Sequence, residues 1–373
     1  MKVSLHYSET ILLDLPTIRP HVLSMATMHR QSVVIFRLYG SDGVEGIGEG
    51  TTIGGMSYGP ESPESIRLAI DNYITPLLET CDLSQIAETM MLINRHVVGN
   101  TIAKCAVETA LLDAAGKRLG VAVSDLIGGG RVRNVLPVAW TLASGDTVRD
   151  IDEAKAMLEA RRHRIFKLKI GKRDLEADVA HVAAIKNALG DAASVRVDVN
   201  QVWDEATADR GIAMLGDAGV DLVEQPVVAH AHSAMARLSA RHVVPLMADE
   251  ALHGPADAFS IAALAGAKVF ALKIAQSGGL FAAREVASIA QAAGVGLYGG
   301  TMLEAGVGTA ASAQLFATLP SLTWGTELFG PLLLTEEILE QPLVYRDFGL
   351  VVPDGPGLGV ALDDGRISQF RRQ

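Results

Sequence analysis

Over the first 60 residues apolar and polar positions alternate with a period of two, broken by turn residues: ILLDLP, VVIFRLYG and GVEGIGEG. Alternation of this kind predicts three antiparallel strands, each with one face on a core. Between the first two lies TIRPHVLSMATMHRQ, whose lack of period predicts a mobile loop carrying Arg19 and His21. From Glu64 to about Leu126 the rhythm becomes helical, with apolar residues at i, i+3 and i+4. AKCAVETALLDAAGKRLG is the clearest run, and Gly120 fits its C-cap. The triplet Gly128–Gly130 then predicts a boundary.

Beyond it short apolar stretches alternate with alanine-rich helices: LPVAWTLA, RIFKLKI, SVRVDVN, DLVEQP, VPLMADE, VFALKI, GVGLYGG and LTWGTELFG. Eight strand–helix units predict an α/β fold, a (β/α)₈ barrel of the TIM type. The turn-rich end, VVPDGPGLGVALDDGRISQF, is expected to pack back on the first domain. The expected organisation is an α+β capping domain at 1–128, a barrel at 129–350 and a tail at 351–373 that joins the cap.

Seven of these strands end in chemically distinctive residues. The second ends in Lys167-x-Lys169, the third in Asp198-x-Asn200 and the fourth in Glu224-Gln225-Pro226. The fifth ends in Asp249-Glu250, the sixth in Lys273, the seventh in Gly299-Gly300 and the eighth in Glu327. Asp198, Glu224, Asp249 and Lys273 follow at intervals of 26, 25 and 24 residues. Such spacing puts them at the same end of consecutive strands, and in a barrel the carboxyl ends carry the chemistry.

Neighbouring strands lie ~5 Å apart, so three carboxylates there repel and take up protons unless a cation joins them. An all-oxygen set suits Mg²⁺ or Mn²⁺ rather than zinc. Lys167 and Lys169 are two apart and share a face. With Phe166, Leu168 and Ile170 turned to the helices, both lysines are expected inside the barrel. Close cationic neighbours are expected to lower their pKa, making one a proton donor or acceptor near neutrality. Lys273 is expected across the metal from them, which suits moving a proton next to a carboxylate.

Composition narrows the partners. The chain is 49% apolar, and its net charge of −11 is spread without acidic tails or basic blocks. This argues against nucleic acid or an anionic membrane as partner. Lys273, Gln276, Arg284, Glu285 and Gln291 interrupt the apolar stretch Val269–Gly300, so no membrane span is expected. MKVSLHYSETILLDLP lacks a signal peptide's apolar core, and Cys81 and Cys105 have no CxxC or metal-ligand spacing. A cytoplasmic protein with reduced thiols is expected. Gly46-x-Gly48-x-Gly50 opens no helix and reads as turn geometry, not a phosphate loop. No G-x-S-x-G elbow supports hydrolase chemistry. A Schiff-base aldolase using a barrel lysine is the alternative from another mechanistic class.

The set Lys-x-Lys, Asp, Glu, Asp, Lys at successive strand ends resembles the enolase superfamily. The strings TIRPH, GEGTTIGG, AWTLASGD, KLKIG, VDVNQ, GLYGGTMLE and TWGTELFGPLLL resemble its muconate lactonizing subgroup, over essentially the whole chain. The resemblance implies Asp198, Glu224 and Asp249 as ligands of Mn²⁺ or Mg²⁺. It implies Lys169 as proton donor to an enolate, Lys167 as its electrostatic partner, Lys273 on the opposite face and Glu327 at the substrate. Ile53, Gly54, Tyr58, Asn200 and the Arg19–His21 loop would surround a small dicarboxylate. Family members are commonly octameric, so a homo-oligomer is expected.

The implied reaction interconverts cis,cis-muconate and muconolactone. Chloromuconate cycloisomerisation, dipeptide epimerisation and o-succinylbenzoate synthesis are the alternatives within the superfamily. A mandelate-racemase-like role is disfavoured, because the seventh strand ends in Gly299-Gly300 where that group needs a histidine.

Overall fold

The computed structural model of the chain describes residues 2–22 and 27–372. Strands β1 (Leu5–Val22), β2 (Thr27–Gly40) and β3 (Glu45–Thr51) form an antiparallel sheet in that order. Ile11 pairs with Ile35, and Val34 with Gly50. Both β1 and β2 extend well into the segment expected to be a mobile loop: 17–22 and 27–31 are strand, and His21 pairs with Met28. A register shift between Pro16 and His21 accounts for the lost periodicity, since it breaks the two-residue rhythm without ending the ladder. The middle of that segment, 23–26, lies outside the described residues.

Helices α1 (Pro63–Ala69), α2 (Thr75–Leu78), α3 (Ile86–His96), α4 (Thr101–Leu119) and α5 (Val123–Gly128) follow. The glycines of β3 are strand interior, not the turn expected of them. A Cβ at Gly46 or Gly48 would collide with the carbonyl oxygens of Ala110 and Ala106, so the pattern lets α4 lie directly on the sheet.

The chain then runs through β4 (Val135–Pro137), β5 (Trp140–Leu142), α6 (Thr147–Glu159), β6 (Ile165–Lys169), α7 (Leu175–Leu189), β7 (Ser194–Asp198) and α8 (Glu205–Asp217). It continues with β8 (Leu222–Glu224), α9 (His232–Arg241), β9 (Leu246–Ala248), α10 (Pro255–Ala263) and β10 (Val269–Leu272). After α11 (Ile274–Ser277) and α12 (Leu280–Ala293) come β11 (Gly296–Gly299) and α13 (Gly306–Phe316). Near the end β12 (Tyr345–Arg346) and β13 (Gly349–Val351) pair with β4, and α14 (Asp364–Phe370) follows.

Among the described residues β5 to β11 make one seven-stranded parallel sheet in sequence order. Parallel neighbours need a crossover, and the intervening helices supply it. Two of the eight expected strands differ. LPVAWTLA is divided: Val135–Pro137 pairs antiparallel with β13, and only Trp140–Leu142 joins β6. Pro137 lacks the N–H that would continue one ladder through both halves. LTWGTELFG is not a strand, because Gly325 at φ +70° turns the backbone and leaves Thr326 in isolated parallel bridges to Val138 and Gly299. The Thr326 and Glu327 amides still donate to Pro137 and Gly299 at 2.8 and 2.7 Å, so this segment spans both edges of the curled sheet.

Alternation along the strands sorts two environments. Ala139, Ile165, Leu222, Met247, Val269, Ala271 and Tyr298 form an apolar plug inside the curl, while Phe166, Leu168, Val195, Val197 and Phe270 join the cluster shared with the helices. Each buried side chain of this size contributes roughly 1.5–3 kcal/mol, which offsets part of the cost of the charges stacked above the plug. The tail returns to the first sheet: Arg372 N donates to Leu12 O at 2.8 Å, and its guanidinium pairs with Asp14 at 2.5 Å. Cys81 and Cys105 are buried and form no disulfide. Among the described residues no helix is long and apolar enough to cross a membrane.

Candidate active site

The lysines of β6 obey the strand's alternation and point inward, with Phe166, Leu168 and Ile170 buried on the other face. Lys167 is enclosed. Its Nζ lies 2.5 Å from Glu327, 3.1 Å from Glu224 and 3.6 Å from Asp198. Lys169 Nζ lies 2.5 Å from Asp198 Oδ2 and 3.1 Å from Asn200 Oδ1. These contacts follow from register, since Lys169 is beside Asp198 and Asp198 beside Glu224 on consecutive strands. At the end of β10, Lys273 Nζ is 2.6 Å from Asp249 Oδ1 and donates to the Tyr58 hydroxyl, also at 2.6 Å.

Burial alone would lower the pKa of Lys167, but Glu224 and Glu327 outweigh it and hold the pKa well above the usual lysine range. At Lys273 burial is likewise overcome by Asp249 and Glu250, and the pKa is raised. The lowering expected from a close second ammonium is therefore reversed at Lys167. The physical reason is that its ammonium sits against both Glu224 and Glu327. Burial, and then the charge of Asp198, push Glu224 far above the usual carboxylate range. At Asp198 burial acts upward too, but Lys169 and Lys167 more than reverse it.

Five buried carboxyl groups (Asp198, Glu224, Asp249, Glu250 and Glu327) thus share the site with three lysines. Among the described residues no three carboxyl, imidazole or thiol groups form a ready-made cage for an ion; the ammonium groups stand between the carboxylates. The donor chemistry nevertheless fits a hard divalent cation. The set is all oxygen, and Asp249 Oδ1 and Glu250 Oε2 are buried without a directed hydrogen bond. Lys273 is close to that Asp249 oxygen but off the hydrogen-bonding direction. Asp198, Glu224 and Asp249 are the residues that could hold the ion.

The strand ends open on a narrow cavity. His21, Ile53 and Tyr58 from the first domain line it together with Lys167, Lys169, Asp198, Asp249, Lys273 and Glu327. His21 is held down to about 4 by burial and then by the charges of Lys169 and Arg19, so its imidazole is neutral at neutral pH. Of the expected residues, Glu224, Asn200, Arg19 and Gly54 do not line the cavity itself. Glu224 is enclosed against Lys167, and Asn200 donates to Glu250 at 3.0 Å while accepting from Lys169. Arg19 pairs with Glu153 at 3.0 Å and lies over the Trp140 ring.

Thr141, Thr301, Leu303 and Phe329 also line the cavity and were not singled out from the sequence. They lie within the strings AWTLASGD, YGGTMLE and ELFGPLLL, but no reactive residue type marks them. A larger, more open surface hollow beside Thr101, Lys104 and Phe281 also carries Glu108, Arg284 and Glu285, but among the described residues no ion pair joins these four charges.

Residues 7–128 match the N-terminal domain of mandelate racemase / muconate lactonizing enzyme, and residues 149–366 match the enolase C-terminal domain-like family. The chain belongs to the mandelate racemase/muconate lactonizing enzyme family. It is 60% identical over 370 residues to "Muconate cycloisomerase 1-1" of Acinetobacter lwoffii, covering 99% of this chain and 97% of that one. It is 47% identical over 363 residues to "Chloromuconate cycloisomerase" of Delftia acidovorans, covering 97% and 98%. A crystal structure of muconate lactonizing enzyme from Pseudomonas fluorescens complexed with muconolactone superposes with a TM-score of 0.98 at 57% identity, over the full length of both chains. Enzymes of this family use a divalent metal. The two matched regions meet at the cavity, with His21, Ile53 and Tyr58 from the first and the charged strand ends from the second.

Proposed function

We propose that the chain is a cycloisomerase that interconverts cis,cis-muconate and muconolactone. The observation that carries this reading is the Lys169–Asp198 pair facing the Lys273–Asp249 pair in one cavity, in a chain similar along its whole length to muconate-acting relatives. A dianion of this size needs cationic groups around it, and three lysines in a chain of net charge −11 meet that need.

Mn²⁺ or Mg²⁺ would be held by Asp198, Glu224 and Asp249, and when bound supplies positive charge for the oxygen on which enolate charge develops. One carboxylate of the substrate adds to the far double bond and a C–O bond forms. The π electrons move to the carbon next to the other carboxyl group, and that carbon takes a proton from Lys169 Nζ. The product carries one negative charge fewer, and Lys169 recovers its proton from water. Lys167, buried against Glu224 and Glu327, stays charged and keeps those two carboxylates from repelling the substrate. Tyr58 and Lys273 orient the opposite end, while Ile53, Leu303 and Phe329 exclude water. Nucleophile and alkene belong to one molecule, so holding a single conformation supplies much of the acceleration.

We further read residues 324–327 as the eighth stave of a (β/α)₈ barrel, capped by 1–128 with the tail. We also assign the protein to the cytoplasm and to a homo-oligomer, an octamer by family analogy. Chloromuconate is the second candidate substrate, ordered behind muconate by the lower identity to the relative that acts on it. Parallel rate measurements with cis,cis-muconate and its 3-chloro derivative test the assignment. Muconolactone from the first at the higher kcat/KM is expected; a strong preference for the chlorinated compound overturns it.

A further inference from the structure

Leu303 lines the cavity, yet its backbone is left-handed, at φ +61°. A branched non-glycine residue keeps that conformation only when its surroundings over-determine it. Part of what fixes it comes from the other domain. Gln31, 2% exposed in β2, donates from Nε2 to Met302 O at 3.2 Å and to Leu303 O at 2.9 Å. Glu49, buried in β3, accepts from Ala305 N and Gly308 N, both at 2.7 Å. Thr51 Oγ1 holds Glu49 in place at 2.7 Å. Within the loop, Leu303 N donates to Thr301 Oγ1 at 2.8 Å, Met302 N donates to Glu304 at 2.9 Å, and the Thr301 hydroxyl donates to the same carboxylate.

The chemistry of the two clamp residues is specific. Only a primary amide offers two neutral donors on one nitrogen at that reach, so Gln31 can satisfy two successive carbonyls without bringing a charge near the lysines. Only a carboxylate offers two acceptors to two amides. Elsewhere the domains dock away from the cavity, as where Glu108 of α4 accepts from Phe281 N at 3.1 Å. Gln31 and Glu49 instead grip the loop that carries Thr301 and Leu303 into the cavity wall.

We propose that Gln31 and Glu49 are positioning residues for the reaction: the amino-terminal sheet sets the left-handed Leu303, and with it the shape of the substrate cavity, through hydrogen bonds to residues 302–308. This rests on the cavity being the muconate site. The clamp acts on substrate fit and not on the proton transfer, because neither side chain lines the cavity.

Gln31→Leu removes both donors at nearly constant size. Glu49→Gln is the milder companion, since its amide nitrogen opposes a backbone N–H. Two readouts decide. In the metal-loaded enzyme without substrate, amide hydrogen exchange in residues 301–308 should accelerate about tenfold or more, with β6 to β8 unchanged. With muconate, KM should rise about tenfold while kcat stays within about threefold. Unchanged exchange overturns the proposal. So does faster exchange, or a lower melting temperature, with KM unmoved, since the bonds are then merely structural. A wild-type chain inert toward muconate sinks the functional reading instead, and the exchange arm then decides whether the clamp exists.

Discussion

Tyr58, from the amino-terminal domain, bridges a charge pair of the barrel: its hydroxyl accepts from Lys273 at 2.6 Å and donates to Asp249 Oδ2 at 2.8 Å. The ammonium also lies 4.6 Å from the centre of its ring. Tyr58→Phe keeps the ring and deletes both bonds. Hydrogen bonds to charged groups contribute about 1.5–3 kcal/mol, so kcat/KM for muconate should fall roughly 10- to 100-fold. Steady-state kinetics check this, and an unchanged value would separate the cap from the chemistry.

Lys169 is assigned the transferred proton, so Lys169→Ala should lose about 10²–10⁴-fold in kcat, the usual worth of a positioned general acid. Calorimetric titration with Mn²⁺ should show that binding survives. Loss of both together would reassign Lys169 to holding the ion site.

Lys167 separates the buried carboxylates Glu224 and Glu327. Lys167→Met leaves them uncompensated, and breaking a buried pair in this way costs about 3–5 kcal/mol. The metal-free variant should therefore unfold at markedly lower denaturant than wild type. Added Mn²⁺ should recover part of the difference, read from paired denaturant melts.

Burial, assisted by Glu285, lifts Glu108 to about 7. Its folded pKa is above its unfolded one, so the native state binds the extra proton between about pH 4.3 and 7. The stability this gives is complete below the unfolded value and is lost as pH rises through 7. Wild type should therefore lose stability relative to Glu108→Gln between pH 5 and pH 8, by at most about 3 kcal/mol. Melting curves of both proteins across that range measure it.

Much of this site was legible because strand periodicity and the steady spacing of Asp198, Glu224, Asp249 and Lys273 fix which residues reach one end of the sheet. Alternation likewise gave the inward lysines. The raised pKa of Lys167 was not legible, because it depends on Glu224 and Glu327 both closing on one buried ammonium, and Glu327 lies 160 residues away in sequence. Nor was the clamp on Leu303: Gln31 fell in a stretch without period, and its partners are separated from it by 271 and 272 residues. The segment around Thr326 looked like any other apolar strand, and only the conformation of Gly325 distinguishes it.

In the proposed reaction a carboxylate-held divalent ion and Lys169 together turn muconate into muconolactone. Loss of the diene's ultraviolet absorption should begin when purified chain and Mn²⁺ meet cis,cis-muconate, stop on adding a chelator and resume on restoring the metal. Undiminished conversion in excess chelator, or no conversion with the metal bound, would contradict it.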